Sequence, residues 1–162
     1  MAEIKYGKYF FNYEPKPEEI KLGRTGIARL DNTSVEGSFF YWVHWNLPGS
    51  VTPPAGHPPH IHRDAEILML IGTNPDEPTD LGAEVELFMG PEMERHVMTK
   101  STVVFIPPNF IHCPYIIKRI DRPWIFVEVN QGPVHTEKSF RQLLPIETRE
   151  KIDWSRWQDE GY

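Results

Sequence analysis

Cysteine is nearly missing from this chain of 162 residues, with Cys113 its sole example. One thiol cannot close an intramolecular disulfide, and a zinc site built from several cysteines is excluded. Long apolar runs are missing as well. The longest, ILMLI (67–71) and VVFI (103–106), fall far short of the roughly 20 residues of a membrane-spanning helix. Positive charge is in deficit: 17 Lys and Arg stand against 23 Asp and Glu, for a formal net charge of −6. Without a basic cluster, nucleic acid and anionic membrane surfaces are poor partners. Residues 1–21 alternate charged and aromatic side chains and lack the apolar stretch of a signal peptide, so the expected compartment is the cytoplasm.

Proline, by contrast, is abundant. Sixteen prolines recur along the chain and leave almost no room for long helices. Between them lie short β-branched and aromatic runs, the pattern of an all-β sandwich or barrel in one domain. YFFNY (9–13) and GIARL (26–30) are possible early strands. Residues 38–47, SFFYWVHWNL, form an aromatic strand in which Phe40, Trp42 and His44 share a face. EILMLIG (66–72) is apolar on both faces, which suits a buried strand. A turn-rich excursion occupies 73–82. AEVELFMG (83–90) pairs with ERHVMT (94–99) across the turn at GPEM. STVVFI and IHCPYIIKRI flank a tight turn, and RPWIFVEVN (122–130) is a final core strand. From Lys138 onward the spacing fits short helices or an arm.

HPPHIHRDAE (57–66) concentrates three of the seven histidines. In an extended segment His60 and His62 point the same way, and Glu66 has the same parity beyond a turn at Arg63-Asp64. If that turn is a hairpin, two imidazoles and a carboxylate converge into a divalent transition-metal site. Some fifty residues on, PPNFIHCP (107–114) launches His112 from a rigid turn and offers a fourth ligand from across a barrel. Parity turns Cys113 away from it, as a small core residue.

These two segments, in this order, resemble the paired signatures of the cupin superfamily. PHIHRDAEILMLIG is similar to the first and PPNFIH to the second, over roughly residues 38–130. The resemblance implies a small antiparallel β-barrel, or jelly roll, filling a single domain of residues 1–162. An N-terminal arm (1–37) and a C-terminal arm with short helices (138–162) would flank it. It further implies one divalent metal per chain, held by His60, His62, Glu66 and His112. Iron or manganese is favoured, with nickel, zinc, cobalt or copper as further candidates. Homodimerisation is also implied. Asn109 stands where the second signature carries Gly; Asn tolerates the left-handed backbone best among other residues.

Other residues have a sharp and a bland reading. His57, an odd offset from His60 across two prolines, belongs at the mouth as a substrate contact or in solvent. His44 and Trp42 face either the pocket or a packed interior. Phe105, Phe110 and Tyr115 suggest an apolar pocket wall, with Phe110 as a substrate contact. Glu86 is a candidate general base if the Glu84/Glu86 face of its strand looks inward, and a solvated side chain if it looks outward. His135 lies in a polar loop and carries no assignment. A three-His, one-Glu site leaves about two positions open on an octahedral ion. Such a site fits a dioxygenase, or an isomerase or lyase, acting on a small oxygenated metabolite. A non-catalytic metal- or ligand-binding sensor or accessory subunit is the alternative.

Overall fold

The computed structural model describes residues 5–17, 24–50, 56–157, 159, 161 and 162. The VTPPA stretch before Gly56 and parts of both terminal arms therefore lie outside the described residues. Among the described residues, ten strands form two antiparallel sheets. The first contains β1 (Arg24–Leu30), β2 (Phe40–Asn46), β4 (Glu66–Gly72), β7 (Thr102–Ile106) and β9 (Trp124–Asn130), in the order β1-β2-β9-β4-β7. The second contains β3 (His60–Ile61), β5 (Asp80–Met89), β6 (Glu94–Lys100), β8 (His112–Ile120) and β10 (Lys138–Ser139), in the order β10-β3-β8-β5-β6. This is the all-β architecture expected from the prolines and short apolar runs.

The strands alternate as a half-buried sheet requires. On β4, Leu68 and Leu70 point between the sheets, as do Phe126 and Trp124 of β9 and Val85 and Leu87 of β5, and together they make one core. Leu70 and Trp124 are wholly enclosed. Burying such a side chain contributes about 1.5–3 kcal/mol. The outward side of β4 and β7 is also apolar, with Ile71, Val103 and Phe105 exposed, so EILMLIG is buried on one face rather than both. Gly72 ends β4 where the chain crosses Asp80, and a side chain there would collide with the Asp80 carbonyl.

Several sequence boundaries move. GIARL falls within β1, but YFFNY forms no strand; only a 3-10 turn at Gly7–Tyr9 precedes it. β5 begins at Asp80, inside the segment read as a turn-rich excursion. The C-terminal arm carries a 3-10 turn at Arg141–Leu143, a one-turn helix α1 (Ile146–Arg149) and a second 3-10 turn at Trp154–Arg156. It lies against the barrel: the Tyr162 hydroxyl donates to Asn109 Oδ1 at 3.1 Å, and Arg63 stacks over the Tyr162 ring. No helix among the described residues is long and apolar enough to cross a membrane.

Candidate metal centre

The second histidine segment is set by its turn. Asn109 adopts φ 59, the left-handed conformation for which the sequence substitutes Asn for Gly. Its N–H donates to the His62 carbonyl at 2.8 Å, fastening the Pro107-Pro108-Asn109 turn onto the first segment. His112 then opens β8 opposite His60 on β3. Glu66 comes from the other sheet, at the start of β4, paired with Asn130 of β9 and Ile106 of β7. The Arg63-Asp64 turn is thus a corner between the sheets and not a hairpin. Convergence is achieved by stacking one sheet on the other, because His60 and Glu66 belong to different ladders.

All four side chains are buried; donor nitrogens of His60, His62 and His112 lie within 4.8 Å of one another, and the Glu66 carboxylate lies against His62 and His112. His60 Nε2 lies 3.1 Å from His62 Nε2, and His112 Nε2 lies 3.1 Å from Glu66 Oε2. His62 Nε2 is 3.6 Å from Glu66 Oε1. Each imidazole has its other nitrogen committed to a backbone carbonyl. His60 Nδ1–H donates to Pro58 at 2.7 Å, His112 Nδ1–H to Phe110 at 3.0 Å, and His62 Nδ1–H to Thr136. These bonds fix the tautomer, leaving three Nε2 lone pairs aimed inward. Burial drives His60 well below its ordinary pKa and lowers His62, so both rings are neutral donors. Burial alone would raise the Glu66 carboxyl; the contacts with His112 and His62 outweigh it and hold it low. Facing lone pairs repel, and a cation between them removes the repulsion. Two nitrogens each about 2.1 Å from an ion and at right angles lie about 3 Å apart, the spacing found here. The residues therefore fit a divalent metal ion.

Glu66, His60 and His112 open onto a cavity of ≈ 90 Å³ that is also lined by Arg24, His57, Tyr115, Glu128 and Trp157. His57 sits at its mouth, as expected from the prolines. Its ring stacks on His60 and on Trp157, each at 4.3 Å, and its Nε2 meets Glu137 Oε2 at 3.1 Å. His57, His60 and Glu137 form a second group of clustered donor atoms, sharing His60 with the first.

Other expected pocket residues lie elsewhere. Trp42 and His44 face the interior from β2 but do not line this cavity; their rings pack at 4.3 Å, with Phe126 beside His44. Phe110 lines a separate groove with Met89 and Val97, because the Asn109 turn sends it outward. Phe105 faces solvent, and only Tyr115 of that trio reaches the cavity. Glu86 lies on the outer side of β5, where Arg95 donates to its Oε1 at 2.6 Å. Val85 and Leu87 take the inward positions, so Glu86 has no access to the cavity and its reading as a general base is withdrawn. Cys113 is a core residue, with its thiol pushed up by burial. Its left-handed φ of 71 breaks the alternation after His112, however, and brings it to the cavity wall.

Sequence reasoning missed Arg24, Glu128, Glu137, His135 and Trp157. Glu128 had a signal: it is the one charge in the apolar strand WIFVEVN, at an inward position between Trp42 and Leu68. Burial and the Glu66 charge push its carboxyl up to about 8. His135 packs its ring 5.0 Å from His62 and its Nε2 3.9 Å from Glu128 Oε1. Nothing local in the sequence marks it.

No family model matches the sequence, and no curated protein matches it. Solved structures do match. An oxalate oxidase in complex with the substrate analogue glycolate superposes with a TM-score of 0.53 at 15% identity, over 87% of this chain and 68% of that one. Bacillus subtilis oxalate decarboxylase, with its Mn(II) centres, gives 0.46 at 17% identity over 85% of this chain and 32% of its own. Lactobacillus farciminis oxalate decarboxylase in a formate complex gives 0.48 at 18% identity, over 80% and 34%. The chain spans about a third of the length of these decarboxylases. Oxalate oxidase and oxalate decarboxylase are cupins.

The chain has the cupin fold. Within this cupin barrel the two signature segments occupy neighbouring strands at one end, β3 and β8, and Glu66 closes the group from the facing sheet. The cupin core is the apolar remainder of the barrel, and the donors sit at its edge beneath the His57–Trp157 mouth.

Proposed function

We propose that this chain binds one divalent transition metal through His60, His62, His112 and Glu66, and is a metal-dependent enzyme acting on a small oxygenated molecule. The observation that carries the reading is the trio of Nε2 atoms with their Nδ1 protons already given to backbone carbonyls. When bound, the ion supplies Lewis acidity and a template, and dioxygen chemistry as well if it is iron. Neutral imidazoles with one carboxylate suit iron or manganese over a thiolate-seeking ion.

The chain's own residues do the rest. His57 is 34% exposed and lines the cavity, so a small molecule reaches the donors past it. Trp157 and the Tyr115 ring form apolar walls that exclude bulk water, and Glu128 and His57, the latter backed by Glu137, are the acid and base groups facing the bound molecule. An open, walled cavity with such groups favours turnover over a purely structural metal. Dioxygenase chemistry and isomerase or lyase chemistry both fit this arrangement.

The test is metal analysis of anaerobically purified protein, with His60→Ala and Glu66→Ala beside it. One equivalent of metal in the wild type and its loss from both variants is the expected result. A wild type without stoichiometric metal overturns the proposal. Iron directs the search to oxygen-dependent reactions, and manganese leaves isomerase and lyase reactions in play. Stoichiometric metal with no turnover of any small oxygenated acid, diol or catechol would make the chain a metal-dependent binder instead.

A further inference from the structure

One wall of the cavity has polar groups that the metal centre does not use. Arg24 begins β1, opposite Asn46 of β2, which in turn pairs with Trp124 of β9. Its Nε is enclosed and has no hydrogen-bond partner among the described residues. The Tyr115 hydroxyl, lining the same cavity, is also buried without a partner. Behind them the Asn46 side-chain amide and Trp124 Nε1 are unpartnered too. Buried polar groups are satisfied in the great majority of cases, and a cation is the costliest to leave unmet. Glu128 shares the cavity and feels the Arg24 charge, which works against the burial that raises its carboxyl, but no ion-pair contact joins the two among the described residues.

We propose that Arg24 and Tyr115 form an anion subsite, and that the molecule this cavity takes is a small carboxylic acid with its carboxylate on Arg24 Nε–H and the Tyr115 hydroxyl. Both residues line the same cavity and carry an unpartnered N–H and O–H, a pair that fits a carboxylate and not a cation or a hydrocarbon. The cavity of ≈ 90 Å³ limits the molecule to a few heavy atoms. Because His60, Glu66 and His112 line the same space, the far end of the acid, a keto or hydroxyl oxygen, faces the donor cluster. Only that last placement rests on the metal reading; the anion subsite stands on Arg24 and Tyr115 alone.

The experiment follows the Arg24 Nε–Hε resonance in the full-length protein, assigned by its loss in Arg24→Lys. Acetate is titrated into metal-free protein, and pyruvate and its uncharged counterpart hydroxyacetone into protein loaded with Mn(II) or Zn(II). The expected result is a saturable acetate-induced shift at Arg24, with affinity reduced about tenfold in Tyr115→Phe and in Arg24→Gln, the latter read by calorimetry. Pyruvate should bind the loaded protein more tightly than acetate binds the metal-free form, and hydroxyacetone should bind the loaded protein only weakly. Arg24→Gln should keep the wild-type metal content and fold at least as stably, since it removes an unpaired charge. No acetate shift, or equal acetate affinity in Arg24→Gln, overturns the subsite and means that water alone satisfies these groups. If the protein fails to load metal, the metal reading falls, while the acetate titration still decides the subsite.

Discussion

His60 and His62 face each other with Nε2 atoms 3.1 Å apart, although each ring has already given its proton to a backbone carbonyl on the far side. Two neutral acceptors at that separation repel unless a cation joins them. Metal should therefore stabilise the fold as well as complete the site. A metal held at about a thousand times its Kd adds roughly 4 kcal/mol. For a chain of this size that is on the order of 10 °C in Tm. Thermal unfolding with and without a chelator checks this; an unchanged Tm contradicts it.

Glu66 and Glu86 are both buried glutamates on strands, and they should behave oppositely. Glu66→Gln removes the anionic donor next to His62 and His112 and should abolish stoichiometric metal binding. Glu86→Gln breaks only the contact with Arg95, whose side chain is 52% exposed, and should cost no more than about 1 kcal/mol. Its metal content should match the wild type. Loss of metal from Glu86→Gln would restore that residue to the site.

Acid stability should report on His44. It is enclosed by Trp42 and Phe126, both ring nitrogens lack partners, and burial lowers its pKa from 6.5 to about 3. The unfolded chain takes up the proton first, so His44's contribution is complete above pH 6.5 and is lost as pH falls toward 3. At pH 5 the loss is roughly 2 kcal/mol. His44→Phe should flatten this slope, with a urea midpoint that changes less than the wild type's between pH 8 and pH 5. Parallel slopes would count against the assignment.

Glu128 has the reverse sign. Its folded pKa of about 8 exceeds the unfolded 4.5, so the folded state holds the proton longer. Its contribution is full below pH 4.5 and disappears as pH rises through 8. Metal-free Glu128→Gln, which cannot ionise, should lack this alkaline loss. Denaturation midpoints at pH 5, 7 and 9 measure it, and an unaltered profile in the variant would show that Glu128 ionises normally.

The histidine cluster was legible because its signals are local. His60 and His62 share parity over two residues, and His112 follows a Pro-Pro-Asn turn whose geometry needs no distant contact. What the sequence left open lay where a strand has two usable faces. Glu86 and Glu128 each alternate with apolar neighbours, and only the stacking of the sheets placed Val85 and Leu87 inside while turning Glu128 inward. Phe110 went astray for a related reason, because a left-handed residue just before it redirects the side chain.

What the sequence determined by itself is therefore the all-β architecture, the turn before His112 and the histidines that gather beside Glu66, since period-two alternation and proline geometry act over a few residues. What only the tertiary structure decided is the company those donors keep. Arg24 and Glu128 reach the cavity from β1 and β9, a third stretch brings His135 beside His62 and Glu137 beside His57, and His62 finds its carbonyl partner at Thr136, 74 residues away. Burying the apolar faces of two sheets against each other sets those distances, and no local pattern encodes which far strand will lie opposite.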